Sequence, residues 1–421
     1  MSPVLPFDIT VLIIDIVGEN NDTNLLKKLA LVSHSFLQIC SKHLFATVEL
    51  HDADPMCHVA SSKKGFIKLL ESRPEVVKYI RKLTYKVGEY YRYQPLPANP
   101  SFENEDQGLS PILPNHLLTI PRLNCLTIDG SNLDWNTLDS SLTSAFFYLM
   151  RLPTINHIDL SFIHDFPLSS FTPSVNLRRL DISYLNRFDR LSKEGSSPEI
   201  VIQSEMMPKI REFHTSYSPL LTTKLLHAKK QDGQPAFNFT DLRQLSTSLD
   251  DERNLRYLSQ NAKLLEKLHL SVVGPGQSLV RLYDLLSSSL RTLKVLDISV
   301  SMYDSNPLPL GGLCEGLEAI AGHNTLEALS FQVHDVDEQD SEDSIGSEVQ
   351  RVEKVLLQPG WSALRQVTFK VTISCWGGSA RLYKALVQSL PDIYLSRLSK
   401  LESVAFNFSV DIHKYIVERP D

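Results

Sequence analysis

A six-residue phrase, apolar-x-x-apolar-x-apolar, returns along the chain and limits its fold more than any other feature. The clearest copies are INHIDLS from Ile155, LRRLDIS from Leu177, LEKLHLS from Leu265, LKVLDIS from Leu293 and LEALSF from Leu326. Weaker copies begin at Ile80, Leu123, Ile210, Leu242, Leu364 and Leu401. Successive starts lie from 22 residues apart (Ile155 to Leu177) to 43 apart (Ile80 to Leu123). With 42% of 421 residues apolar, chance alone supplies roughly 30 matches, so the phrase by itself has little weight. The weight lies in the ending. IDLS, LDIS, LHLS and LDIS each set a polar residue between two aliphatics and then a serine, the alternation of a strand with one buried face. Between copies lie helix-like stretches such as SLVRLYDLLSSSLRT and LYKALVQSLPDIYLSRLSK. Strand and helix alternating at a rough period mark an array in which each unit buries its apolar face on the next.

This part resembles leucine-rich repeats, whose phrase is L-x-x-L-x-L-x-x-N/C-x-L, over the first six positions. The ninth position departs from that pattern, being Ser131, Leu185, Val273 and Ser301 in the copies from Leu123, Leu177, Leu265 and Leu293. The resemblance implies an α/β fold, an irregular solenoid with parallel strands on its concave face and helices outside. An ordinary α/β domain with parallel strands is the alternative.

The N-terminal stretch has a different grammar. In LPFDITVLIIDIV, Pro6 suits a helix entrance and Asp8 a first turn. Ile9, Leu12, Ile13 and Ile16 share one helical face, while Val11, Ile14 and Val17 fall off it, so the helix is apolar on more than one side. Gly18 to Thr23 breaks it, and Leu25, Leu26, Leu29, Val32 and Phe36 form another helical stripe. The order Leu5-Pro6, Leu12 to Asp15, Leu31 to Ser33, Phe36 and His43 to Phe45 resembles the F-box, and more narrowly the F-box proteins of mushroom-forming fungi. The RPE…YIRKL phrase that tends to follow in that group is matched by Arg73 to Leu83. The aromatic, often Trp there, is Phe36 here, which keeps an apolar knob and loses an indole N–H. The resemblance implies a three-helix F-box that docks on a Skp-type linker protein, and through it on a cullin scaffold, within an SCF ubiquitin ligase. The residues it assigns to the linker contact are Leu5, Pro6, Ile9, Leu12, Ile13, Val32 and Phe36.

The expected organisation is an F-box at 1–50, a helical connector at 51–75 and the repeat array at 76–421. Exposed loops are expected near 93–118, rich in proline, and near 334–346, where HDVDEQDSEDS is acidic. That acidic run lacks the glycine and terminal glutamate of an EF-hand loop. Side-chain alternation in the strands gives an outward row of Thr127, Asp159, Asp181, His214, Ser246, His269, Asp297, Ser330 and Thr368, flanked by Arg179, Lys267 and Lys370. From this row, Asp159, Arg179, Asp181, His214, Lys267, His269, Asp297 and Ser330 are the candidate target-binding residues. The row is polar and mixed in sign, which suits a protein or peptide target.

Other classes recede. Net charge is −7, so no global basic field points to nucleic acid. No apolar run approaches a membrane span, and a secretory leader is not evident at the N-terminus. Cys40, Cys57, Cys125, Cys314 and Cys375 are scattered with no C-x-x-C pair, which suits reduced thiols in the cytoplasm or nucleus. No phosphate-cradling, zinc-protease or hydrolase-elbow motif appears. The leading expectation is a non-catalytic adaptor without cofactor or metal. The alternatives are a repeat-based binding scaffold with no ligase role and an enzyme whose site only folding assembles. A polar site with convergent titratable groups would revive the last.

Overall fold

The structure, a computed structural model, describes residues 6–51, 62–87, 112–168, 171, 173–185, 201–202, 207–249, 252–273, 279–301, 312–336, 342–375, 395, 397–400 and 403–414. In chain order the elements are α1 (Phe7–Glu19), α2 (Thr23–Ala30), α3 (His34–Leu44), β1 (Thr47–His51), α4 (Lys63–Ser72), β2 (Lys82–Lys86), α5 (Ile112–Leu117), β3 (Cys125–Asp134), α6 (Ser140–Arg151), β4 (His157–His164), β5 (Arg179–Ser183) and β6 (Val201–Ile202). They continue as β7 (Glu212–Ser216), α7 (Pro219–Leu226), β8 (Lys229–Lys230), β9 (Gln244–Ser248), α8 (Glu252–Asn261), β10 (Lys267–Val273), α9 (Leu282–Leu286), β11 (Val295–Ser301), α10 (Leu313–Ile320), β12 (Ala328–Val336), α11 (Glu342–Leu356), β13 (Gln366–Cys375) and β14 (Ala405–Lys414). The fold is α/β. It divides into one compact unit of residues 1–208 and 224–237 and a second of 209–223 and 238–421.

From Ile80 to Leu364 each copy of the repeated phrase runs into a strand that opens two residues after its first apolar position, and β14 opens on the fifth residue of the copy at Leu401. The reason is burial. The first apolar residue of each copy from Ile80 to Leu326 is fully buried, and so are the two that follow it in LRRLDIS, Leu180 and Ile182. The fourth and sixth residues of each copy from Ile80 to Leu364 thus turn to one side of the strand, and the first is buried just ahead of it. In the first unit β1 to β5 lie side by side in chain order, all parallel. In the second, β7, β9, β10, β11, β12, β13 and β14 do the same. The sheet is open. The two-residue strands β6 and β8 pair with each other.

The helices pack on the buried face. In the first unit Tyr85 of β2 meets Phe146 of α6 edge to face at 5.1 Å, and Trp135 meets Phe166 at 4.9 Å. In the second, Gly316 of α10 lies against the Leu279 carbonyl so closely that a side chain there would overlap it.

The N-terminal helices form their own small core of Ile14, Leu26, Ile39 and Cys40, with Val11, Val17, Leu29, Ala30, Phe36 and Leu44 packed around it. Asp22 caps α2 by accepting from the Leu25 N–H at 3.0 Å, and Ser33 caps α3 by accepting from the Phe36 N–H at 3.3 Å. The stripe expected to run from Leu25 to Phe36 is therefore broken at Leu31–Ser33.

Other boundaries also shift. The expected junction at residue 50 falls inside β1, whose TVELH sequence is not a copy of the phrase. The loop expected to end near 118 closes in α5, and its earlier part lies outside the described residues. The region 334–346 holds the end of β12 and the start of α11. Most of the helix expected from LYKALVQSLPDIYLSRLSK lies outside the described residues. Among the described residues, no helix is long and apolar enough to cross a membrane.

Candidate functional site: an exposed apolar helix face and a polar strand face

Helix α1 sends its smaller apolar set, Val11, Ile14 and Val17, inward to the three-helix core. The wider stripe of Ile9, Leu12, Ile13 and Ile16 therefore faces outward. Leu12 is 56% exposed and Ile13 44%. Leu31 and Val32, in the turn before α3, are 87% and 65% exposed. Phe7 and Leu25 are exposed too. Of the residues assigned to a linker contact, Ile9, Leu12, Ile13 and Val32 are exposed apolar side chains, and Pro6 is exposed at the start of α1. Phe36 is half-buried against the core, and Leu5 lies outside the described residues. The sequence reading left out Phe7, Leu25 and Leu31. Isolated apolar side chains at a surface are ordinary, but a group this dense on a unit with so small a core is not.

The helix α3 is clamped to α1. Asp15 lies 2.7 Å from His43 Nε2 and 2.6 Å from Lys42 Nζ, and hydrogen bonds from Lys42 and His43 hold its carboxyl below the ordinary carboxylate value. Gly18 permits this approach, because a Cβ there would run into the His43 ring.

The strand registers align the outward side chains. In the first unit the central row is Thr84, Thr127, Asp159 and Asp181. In the second it is His214, Ser246, His269, Asp297, Ser330, Thr368 and Asn407. In the second unit His269 Nδ1 lies 3.2 Å from Asp297, and Gln332 Nε2 donates to the same carboxylate at 3.3 Å. Burial would raise the Asp297 pKa, but hydrogen bonds from His269, Ser330 and Gln332 outweigh it and hold the pKa below the ordinary value. Lys267 stands exposed one row away.

The first unit holds the denser arrangement. A neighbouring row aligns Lys82, Cys125, His157 and Arg179 on β2 to β5. Arg179 donates to both oxygens of the buried Asp181, from Nε at 3.0 and 3.2 Å and from Nη2 at 2.9 Å. His157 lies between two partners, with Nε2 3.0 Å from Asp181 Oδ2 and Nδ1 3.2 Å from Cys125 Sγ. Burial works against its charge, yet the hydrogen bonds to Asp181 and Cys125 lift its pKa to about 9. Asp159 goes the other way for a carboxylate. Burial and repulsion from Asp181 push it up to about 6. Just beyond, Phe162 and Tyr184 stack at 4.4 Å, both with φ of 54°. Left-handed backbone costs a bulky residue about 1–3 kcal/mol, so the ends of β4 and β5 are held in a strained conformation.

Asp159, Arg179 and Asp181 are thus brought together, as are His269, Asp297 and Ser330. The sequence reading missed His157 and Cys125, because His157 meets Cys125 on one side and Asp181 on the other only once three strands are aligned. Among the described residues, no group of three or more His, Cys, Asp or Glu is placed to hold a metal ion. Neither a protein-family model nor a curated protein matches the chain.

Proposed function

We propose that the chain is a substrate-recognition adaptor of an SCF-type ubiquitin ligase. In this reading α1 to α3 are an F-box-like unit that docks on a Skp-type linker protein, and the strands beyond form an irregular leucine-rich-repeat-like solenoid. The outward rows of polar side chains hold a protein target, and reaction on that target is promoted by proximity, with no covalent intermediate of that reaction on this chain. The observation that carries the reading is the exposed apolar face of Ile9, Leu12, Ile13, Leu31 and Val32 on a three-helix unit. Covering it with a partner's helices stabilises a complex by about 25 cal/mol per Å² of apolar area, before the costs of association.

The test is co-expression with a Skp-type linker and a cullin fragment, read by co-elution and titration. The intact chain should bind. Ile13→Asp should weaken binding at least about tenfold and leave the melting temperature nearly unchanged, because an exposed position tolerates a charge. An intact, folded chain that does not bind the linker, or an Ile13→Asp variant that binds as well as the parent, overturns the assignment.

A second reading, a binding scaffold with no ligase role, is favoured by β1. The chain passes from α3 directly into a strand of the sheet, as a terminal cap would.

A further inference from the structure

We propose that Cys125 is a nucleophilic thiol, a site of covalent attachment for small electron-poor alkenes conjugated to a carbonyl. His157 serves as its proton acceptor and donor, and Asp181 holds the imidazole in place. The proposal is independent of the adaptor assignment.

The geometry is that of a thiol, an imidazole and a carboxylate in line. Cys125 Sγ is 3.2 Å from His157 Nδ1, and His157 Nε2 is 3.0 Å from Asp181 Oδ2. A protonated His157 donates from Nε2 to the Asp181 carboxylate while donating from Nδ1 to sulfur, so the contact that holds the imidazole in place also aims a positively charged N–H at Cys125. Arg179 in turn donates to both oxygens of Asp181, including the Oδ2 that faces His157, fixing the orientation of the carboxylate. Among the described residues, Lys82 on β2 is the register neighbour of Cys125, and Asp159, two residues along β4 from His157, interacts electrostatically with that imidazole.

Cys125 is half-buried on the outward face, so a small reagent reaches it, whereas Cys40 and Cys314 are buried. The same three residue types hydrogen-bonded in this order activate thiols elsewhere by placing the base within reach of sulfur and a third group behind the base.

The step balances without a further reactant. The sulfur electron pair forms an S–C bond at the β-carbon of the alkene. The C=C π pair moves to the α-carbon, and the proton that His157 took from Cys125 goes to that carbon. The product is a thioether.

The experiment uses the full chain and N-ethylmaleimide, a reagent of this class, with quenched time points and site-resolved mass spectrometry between pH 5.5 and 8. An ordinary thiol with pKa about 8.5 is only about one part in a thousand thiolate at pH 5.5, so its rate falls more than about a hundredfold over this range. Cys125 is expected to lose less than about tenfold in the folded chain and to follow the ordinary profile once the chain is unfolded in urea. His157→Gln, checked for folding by circular dichroism, should restore the steep profile, and Asp181→Asn should lie between. A steep profile at Cys125 in the folded parent, or a folded His157→Gln variant with the parent's shallow profile, overturns the proposal. Should His157→Gln fail to fold, the comparison of folded and urea-unfolded parent decides alone.

Discussion

Asp159 and Asp181 are register partners on β4 and β5, yet the fold treats their charges unequally. Asp181 is gripped by Arg179 and faced by His157, so its negative charge is compensated. Asp159 meets the cost of burial and the repulsion of Asp181, which together raise it to about 6. An acid whose folded pKa lies above its unfolded value contributes stability that is full below about pH 3.8 and lost as pH rises through about 6. At pH 8 the ionised Asp159 therefore works against the fold. Asp159→Asn removes that charge at little change in shape. It is expected to raise stability at pH 8 by about 1–2 kcal/mol, the partial exposure of the site having been discounted, and to change it little at pH 3.5. Urea melts of both proteins at the two pH values check this, and equal midpoints at pH 8 would contradict it. Asp159 and Asp181 were legible as outward residues from the alternation within INHIDLS and LRRLDIS. The protonation of Asp159 was not, because it depends on burial and on Asp181, His157 and Arg179, which come within reach only through strand pairing.

At the scale of elements, α1 is an apolar helix with two destinations. Its inward set is fixed by α3 through Gly18, His43 and Asp15. Helix propensity favours alanine over glycine by about 1 kcal/mol, so Gly18→Ala alone would stiffen α1. The Cβ would overlap the His43 ring, and swinging the ring away costs its contact with Asp15. The clash is expected to win, since the lost contact leaves Asp15 without its hydrogen-bond partner on the His43 ring, with Lys42 still in place. Gly18→Ala should speed amide hydrogen exchange in α1 and α3 by about tenfold, and Gly18→Ala in a His43→Ala background should not. Equal effects in the two backgrounds would show that His43 is not the reason glycine stands there. The strands were the elements most legible in the sequence. Each copy of the phrase puts its fourth and sixth residues on one side of a short extended segment, the alternation of a strand with one buried face. The helices were less so. The break at Leu31–Ser33 is marked only by a serine cap, which the continuing run of apolar residues hides, and β1 carries no copy of the phrase at all.

The whole chain poses the question of what its first 50 residues support. The three-helix core draws only on residues between Val11 and Leu44, and such a unit is marginal by its size. The tie to the sheet comes immediately after it. The Ala46 carbonyl accepts from the Arg81 and Lys82 N–H groups at 2.8 and 2.9 Å, and Leu50 of β1 is buried beside β2. Two truncations separate these contributions. Removing residues 1–45 takes away the helices and leaves Ala46 and β1 in place. Removing 1–51 also strips β1, exposing the edge of β2 and removing Leu50, whose burial is worth about 2 kcal/mol. If the helices are a docking module, the shorter truncation keeps a cooperative melt and loses only linker binding. The longer one melts several degrees lower, because each strand of such an array is stabilised by its neighbours. If instead the helices serve as a cap for the sheet, the shorter truncation already abolishes the cooperative melt. Calorimetry of the two proteins beside the parent tells these outcomes apart, and a parent-like melt for the 1–51 deletion would remove β1 from the account altogether.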